Sequence, residues 1–326
     1  MIDKTNRDWR WMMRRLTQHT LMYTEMITAP AALRGNRQRL LGFDSSEKPL
    51  VLQLGWDQED LLAESCRIGE DFGYDEINLN CGCPSDRVQR HEFGASLMAR
   101  VQHVARLVEA MAASTSLPIT VKNRIGIRAG KARISLEDYD DLRNFTETVA
   151  GAGCRKFIVH ARIAILDGLS PRENRSKPPL RYEDVYRLKA EFPQLFIEIN
   201  GGYRSADSID EALEYVDAVM LGRVALDRPW FLSTVDRRWF GSDRPQPSRH
   251  EVLEACIPYA IRRFEEGAPR GLLIQPLMNL FAGKPGSRAW KRALSALMAA
   301  SPREFSSGLK KAAAGMSAEI LNERSL

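Results

Sequence analysis

Cysteine is scarce in this chain. Five thiols, Cys66, Cys81, Cys83, Cys154 and Cys256, are spread over 326 residues, too few for a disulfide scaffold and in keeping with reduced thiols in a cytosol. Cys81 and Cys83 have the spacing of half a metal site, yet no second Cys or His pair follows at ligand spacing, which argues against zinc or any other bound metal. No apolar run approaches the roughly 20 residues of a membrane span. The opening Met1-Ile2-Asp3-Lys4-Thr5-Asn6-Arg7 carries no signal-peptide apolar core. The expectation is a soluble, cytoplasmic protein with no membrane partner. Also missing are low-complexity tracts and a strand-to-helix GxGxxG turn, so a tightly held dinucleotide of Rossmann type is not indicated.

The chain is long enough for one large domain and a smaller one. Its 44% hydrophobic and 27% charged residues are those of an ordinary globular enzyme. A net charge of +5 and a pI near 9.0 suit an anionic partner such as nucleic acid, and equally a basic enzyme that binds no polymer.

Short β-branched runs recur at Leu21–Met26, Leu50–Leu54, Glu76–Asn80, Ile119–Lys122, Lys156–His160, Phe196–Asn200 and Ala218–Leu221. Helix-like stretches such as Gln58–Phe72 and His103–Ala113 lie between them, with apolar residues near the 3.6 period. This alternation predicts a parallel α/β sheet with crossover helices. Functional-looking residues follow nearly every strand, which favours a (β/α)8 TIM barrel over a doubly wound sheet. Only seven strands are counted; with Leu21–Met26 as the second, the first would lie upstream of Met1. After Phe240 the stretch Gly241-Ser242-Asp243-Arg244-Pro245-Gln246-Pro247-Ser248 reads as a linker. Beyond it, Glu251–Glu265, Leu272–Phe281, Ser287–Ala300 and Pro302–Asn322 read as helices. The expected division is thus a barrel over residues 1–240 and a basic helical domain over residues 241–326.

Chemistry gathers at the strand ends. Asn78-Leu79-Asn80-Cys81-Gly82-Cys83-Pro84-Ser85 is a strand stopped by a Gly–Cys–Pro corner, because Pro84 cannot donate to a ladder and Gly82 lets backbone approach a ligand. It presents Cys83 at a strand's carboxyl end. Gln53 offers an amide that both donates and accepts, suited to the edge of a planar heterocycle or to bracing a neighbouring loop. Lys122 ends an apolar strand and needs an anion, either a ligand or a carboxylate inside the barrel. His160 is either a catalyst or a satisfied structural group. Asn200-Gly201-Gly202 and Gly222-Arg223 follow the last two strands, where glycines bare backbone N–H groups and an arginine adds a fork for phosphate oxygens. A phosphorylated cofactor or substrate is expected there.

In this order the motifs resemble a tRNA-dihydrouridine synthase, and most of all its A subgroup, over nearly the whole chain. They are Asp75 to Val88 around Asn80-Cys81-Gly82-Cys83-Pro84-Ser85, Leu21-Met22-Tyr23-Thr24-Glu25-Met26, Val121-Lys122, Val159-His160-Ala161-Arg162, Gly168-Leu169-Ser170-Pro171-Arg172-Glu173-Asn174-Arg175, Ile199-Asn200-Gly201-Gly202 and Gly222-Arg223. The resemblance implies an FMN enzyme that reduces D-loop uridines around position 20/20a of tRNA to 5,6-dihydrouridine, with NADPH or NADH recharging the flavin. It implies FMN held by Met1, Gln53, Lys122, His160, Asn200, Gly201, Gly202, Gly222 and Arg223. Cys83 is then the general acid, and Asn80, Arg172, Arg175, Arg288 and Lys291 meet tRNA. Hydride at C6 of uracil must be matched by a proton at C5, which a thiol of ordinary pKa near about 8.5 can give at neutral pH. A monomer is expected, since a tRNA must reach the barrel mouth.

Three departures from the family pattern stand out: the missing first strand, a longer basic loop at Arg128-Ala129-Gly130-Lys131-Ala132-Arg133-Ile134, and Gln275-Pro276 in place of the usual Arg-His. Pro276 predicts a helix break there. Two other functions fit parts of the pattern. One is a small-molecule flavin oxidoreductase, which would not need the basic tail; the other is a non-enzymatic tRNA binder without FMN.

Overall fold

The structure, a computed structural model, describes residues 1–130 and 133–324. Contacts group the chain into two compact units. One combines Met1–Met22, Phe43–Pro49 and the chain from Arg223 onward; the other combines Tyr23–Gly42 and Leu50–Gly222. The units therefore do not divide at residue 240, because the first helix and the segment from Arg223 to Phe240 group with the C-terminal helices.

An eight-stranded sheet runs through the second unit, its path β1 (Met22–Tyr23), β2 (Leu50–Gly55), β3 (Glu76–Cys81), β4 (Ile119–Arg124), β5 (Lys156–His160), β6 (Phe196–Asn200) and β7 (Ala218–Met220), with the short strand Ile27–Thr28 paired beside β2. Every pair from β2 to β7 is parallel, and helices alternate with the strands, as in a TIM-type barrel. Leu50, Leu52, Leu54, Ile77, Leu79, Val121, Phe157, Val159, Ile197 and Ile199 are buried. Helix Glu59–Asp71 buries Leu62, Cys66 and Ile68, and helix Val101–Ala112 buries Val104, Leu107, Val108 and Met111. Both sets recur at helical spacing, so each helix turns one apolar stripe inward.

Two local differences from the sequence reading have clear causes. The run Leu21–Met26 forms only the two-residue strand β1, followed by a second short strand at Ile27–Thr28. Thr24 interrupts it: its Oγ1 accepts the Gln53 N–H at 2.9 Å, while its own N–H reaches the Val51 carbonyl. The basic loop is a hairpin, Ile127–Ala129 antiparallel to Ile134–Leu136, with Ile127–Ala129 also paired to Ala164–Ile165. Lys131 and Ala132 of that stretch lie outside the described residues.

In the first unit, Asn6 caps helix Arg7–Met13 by accepting the Trp9 N–H. Trp11 stacks on Tyr259 at 3.8 Å, and Asp8 accepts from Tyr259 Oη and Arg263 Nε, both at 2.8 Å. Helices Arg249–Glu265 and Pro302–Ala314 each start at a reciprocal Ser–Glu capping box, Ser248 with Glu251 and Ser301 with Glu304. Around Pro276 the chain does break: helix Arg270–Ile274 gives way to turns, so the expected helix Leu272–Phe281 is mostly not helical. The expected Pro302–Asn322 helix is likewise two, Pro302–Ala314 and Ala318–Asn322.

Candidate functional site

Alternate residues of a strand share a face, and the register aligns those faces across the sheet. Gln53 lies opposite Asn78, and Asn78 opposite Thr120. Asn80 lies opposite Lys122, Lys122 opposite Ile158, and Ile158 opposite Glu198. Arg124 lies opposite His160, and His160 opposite Asn200. Pairing alone thus brings Gln53, Asn80, Lys122, His160 and Asn200 onto one face toward the carboxyl ends of the strands.

The turn that carries Cys83 is held from several sides. Asn80 Oδ1 accepts the N–H groups of Gly82 and Cys83 at 3.1 and 2.9 Å. The Cys83 carbonyl accepts from Ala95 N at 3.0 Å. Gly94 makes that approach possible, since a Cβ there would stand 2.7 Å from the same carbonyl. Arg124, buried, donates from Nε to the Gly82 carbonyl at 3.2 Å. A Cβ on Gly82 would meet the backbone of Lys122 and Asn123 at 3.4 to 3.6 Å, an ordinary contact distance. Cys83 is half-buried, its Sγ 3.6 Å from Ser85 Oγ, whereas the other four cysteines are buried. Burial pushes the thiols of Cys66, Cys154 and Cys256 up to about 12 and that of Cys81 higher still. One thiol of five is in a position to react.

Lys122 Nζ donates to Asn200 Oδ1 at 3.4 Å, and Asn200 Nδ2 donates in turn to the Met220 carbonyl at 2.8 Å. Burial pulls the ammonium down to about 8, the nearby Arg124 charge adds to the drop, and Glu198 and Cys83 oppose it. Its hydrogen bond is to a neutral amide rather than a carboxylate, so the ammonium favours an anion arriving from outside the chain.

His160 is buried, with its ring edge against Gly201: a Cβ on Gly201 would stand 3.0 Å from His160 Cδ2 and 2.9 Å from Leu180 Cδ2. Gly201 and Gly202 have φ of +132° and +82°, a backbone that side-chain-bearing residues rarely adopt. Tyr182 Oη fixes the turn by donating to the Gly201 carbonyl at 2.6 Å, and its ring stacks on Tyr203 at 5.1 Å. Gly222 follows β7 in the same unit.

Arg172 and Arg175 are exposed on a loop of this unit anchored by buried Asn174. The Asn174 side chain exchanges hydrogen bonds with Ile165 at 2.8 Å in both directions, and its carbonyl accepts from Arg124 Nη1 at 3.1 Å. Arg124 therefore joins the Cys83 turn to the arginine loop. The remaining expected residues belong to the other unit. Met1 is exposed there, its ammonium 2.6 Å from Thr5 Oγ1; Arg223 opens helix Arg223–Asp227; Arg288 and Lys291 sit on helix Ser287–Ala296 with Arg288 exposed.

Several polar residues deeper in the same face escaped the sequence reading. Lys156 Nζ pairs with Glu76 at 2.9 Å and stands 3.8 Å from Glu198. Burial holds the Glu198 carboxyl up at about 7 against the pull of Lys156, and burial with both carboxylates raises Tyr23 well above an ordinary phenol. The signal was available in β3, where Glu76, Asn78 and Asn80 alternate with Ile77 and Leu79. Among the described residues, no three His, Cys, Asp or Glu side chains group as metal ligands do, and no helix is long and apolar enough to cross a membrane.

The arrangement offers an amide edge, a buried cation, a bare glycine turn and one accessible thiol. Residues 1–314 match the family described as dihydrouridine synthase (Dus). The chain is 53% identical over 295 residues to the tRNA-dihydrouridine(20/20a) synthase of Synechocystis sp., covering 90% of this chain and 86% of that protein. The enzyme of the same description from Pseudomonas aeruginosa is 47% identical over 295 residues, covering 90% and 87%. Among solved structures, a 2-naphthoyl-CoA reductase complex shares the fold with a TM-score of 0.54 at 9% identity, over 72% of this chain and 47% of that one. An old yellow enzyme homologue from Zymomonas mobilis gives 0.50 at 12% identity, over 74% and 84%.

Proposed function

The chain belongs to the dihydrouridine synthase family, and on that premise we propose that it reduces uridines 20 and 20a of the tRNA D-loop to 5,6-dihydrouridine, with FMN as cofactor and NADPH or NADH as the reductant. The observation that carries this reading is Cys83, the one cysteine that is not buried, on a turn beside the strand ends that present Gln53, Lys122 and Asn200.

The residues fit a flavin phosphate. Gln53 would offer its amide to the edge of the ring and Lys122 would answer a negative charge on it, and such a charge would raise the ammonium's pKa again. His160 and Asn200 flank the glycine turn, where a Cβ on either glycine would meet Leu180 within 3.0 Å. Gly201, Gly202 and Gly222 would offer backbone N–H groups to the phosphate, and the family resemblance would add Arg223 for the phosphate and Met1 for the ring. When bound, the reduced flavin supplies the hydride that uracil C6 receives.

Cys83 gives its thiol proton to C5 as the π pair of the C5–C6 bond is used, and solvent restores the proton to the sulfur. The target base leaves its stack to reach this thiol. Asn80 meets the base, and Arg172, Arg175, Arg288 and Lys291 meet tRNA phosphates with salt-dependent affinity. In this reading residues 1–240 carry the chemistry, residues 241–326 hold tRNA, and the enzyme works as a monomer.

The test is Cys83→Ala, assayed for dihydrouridine on a tRNA transcript by mass spectrometry. The variant should keep FMN and tRNA binding and lose at least about 100-fold in turnover. Full turnover in the variant would overturn the assignment of the acid.

A further inference from the structure

A single file of hydrogen bonds runs from the Cys83 turn down the inner face of the sheet. Cys83 N donates to Asn80 Oδ1 at 2.9 Å, Asn80 Nδ2 to Gln53 Oε1 at 2.9 Å, and Gln53 Nε2 to Asn78 Oδ1 at 3.0 Å. Asn78 Nδ2 then donates to Thr120 Oγ1 at 2.9 Å, and Thr120 donates to Glu76 Oε1 at 2.8 Å. Each of Glu76, Asn78, Thr120, Gln53 and Asn80 is at most 9% exposed, so water does not readily stand in for a missing partner.

The two ends dictate the direction. At the upper end, two backbone N–H groups can only donate, so an oxygen of Asn80 must face them. At the lower end, Glu76 takes Lys156 Nζ on Oε2 at 2.9 Å and, as a carboxylate, has no proton to give. Between them, the oxygen and nitrogen of each amide are nearly alike in size, and only partners decide which points where. Thr120 is the turning point. Its single proton must go downward because Asn78 already donates to its oxygen; the Ile77 carbonyl, at 3.4 Å, is the poorer acceptor.

We propose that Glu76 and Thr120 are positioning residues for the dihydrouridine reaction: through Asn78 they lock the amide orientations of Gln53 and Asn80, and so fix both the cofactor-facing edge of Gln53 and the placement of Cys83. The proposal rests on the reading of Cys83 as the acid. Glu76 touches neither cofactor nor base; it acts at the far end of the file. With the file intact, Gln53 keeps one N–H and one oxygen lone pair of known position for a ligand. With it cut, Asn78 Nδ2 loses its buried acceptor, Asn78 and Gln53 are held from the Asn80 end alone, and the row beneath the Cys83 turn loosens.

The test compares Thr120→Val, which keeps shape and removes the hydroxyl, with Thr120→Ser, which restores it. The first readout needs no cofactor: the rate of iodoacetamide labelling at Cys83 in the native protein, followed by mass spectrometry. Thr120→Val should raise that rate about threefold by loosening the turn, and lower kcat at least about tenfold through misplacement of the acid, with tRNA Kd unchanged within about twofold. Thr120→Ser should stay within about twofold of the parent on all three. If Thr120→Val does not fold, Glu76→Gln serves: its one oxygen cannot satisfy both Lys156 and Thr120, and the same changes are expected. Parent-like labelling and kcat in a folded Thr120→Val or Glu76→Gln would overturn the proposal, as would a Thr120→Ser variant as impaired as Thr120→Val. If Cys83→Ala retained turnover while the labelling contrast held, the reading of the acid would fail and the orientation of the turn would stand.

Discussion

Arg124 holds Gly82 from the neighbouring strand, its Nε 3.2 Å from the Gly82 carbonyl, while Nη1 reaches the carbonyls of Ile163 and Asn174 at 3.4 and 3.1 Å. A buried cation satisfied by three carbonyls is a splint: it ties the Cys83 turn to the loop that carries Arg172 and Arg175. Replacing it by Met leaves those acceptors unpaired in a region water does not readily enter. Arg124→Met should cost about 2–4 kcal/mol, seen as a lower urea midpoint, and should weaken tRNA binding as well as turnover. Unchanged stability would contradict the splint.

The four buried thiols make a simple labelling prediction. In native protein, iodoacetamide should modify one cysteine per chain, and Cys83→Ala should reduce that to none. Under denaturing conditions the same variant should show four reactive thiols, the parent five. Fast native labelling of Cys66, Cys81, Cys154 or Cys256 would mean that the interior opens far more readily than its packing indicates.

Lys122 sets stability against binding. Its folded pKa of about 8 lies below the ordinary lysine value of 10.5, so the cost of burying its charge is fully present below about pH 8 and is relieved as pH rises from there toward 10.5. Lys122→Met should therefore raise the melting temperature of the flavin-free protein at pH 7, by the equivalent of roughly 1–3 kcal/mol, while weakening FMN binding at least about tenfold. A destabilised Lys122→Met would show instead that Asn200 and Glu198 already satisfy the ammonium.

Glu198 gives a slope of the opposite sign. Its folded pKa of about 7 lies above the ordinary glutamate value of 4.5, so the folded state binds the extra proton between those values and stability falls as pH rises from about 4.5 to 7. In Glu198→Gln that part of the slope should disappear. Denaturant melts of parent and variant at pH 5, 6 and 7 measure the difference directly, and equal slopes would remove Glu198 from the account.

The glycine turn should resist even the smallest side chain. Gly201→Ala places a Cβ 2.9 Å from Leu180 and 3.0 Å from His160 at a φ of +132°. The expected loss is about 1–3 kcal/mol, together with weaker FMN binding in an ultrafiltration assay. An alanine variant of parental stability and affinity would show that the turn has room to spare.

Much of this molecule was readable from its sequence, and the failures share a cause. Strands β5 and β6 coincide with the expected runs Lys156–His160 and Phe196–Asn200, because short runs rich in bulky apolar residues favour strands. Leu21–Met26 was misjudged because the Thr24 hydroxyl takes a hydrogen bond from a strand far along the chain, which no local pattern announces. The hairpin at Ile127–Leu136 uses strands of three residues, too short to carry a period of their own. At the site, Cys83, Lys122 and Asn200 were visible as polar residues ending apolar strands. Glu76, Thr120 and Arg124 were passed over because their meaning lies in register, which appears only when neighbouring strands are aligned.

The two faces of β3 also carry different kinds of inheritance. At Ile77 and Leu79, both fully buried, one aliphatic group can replace another for less than about 1.5 kcal/mol, so these positions can drift singly. At Glu76, Asn78 and Asn80 no single exchange is neutral, since each donor faces an acceptor with demands of its own. Change there has to be concerted across three strands. The inner row is therefore expected to change as a block, while the aliphatic row beside it tolerates single exchanges.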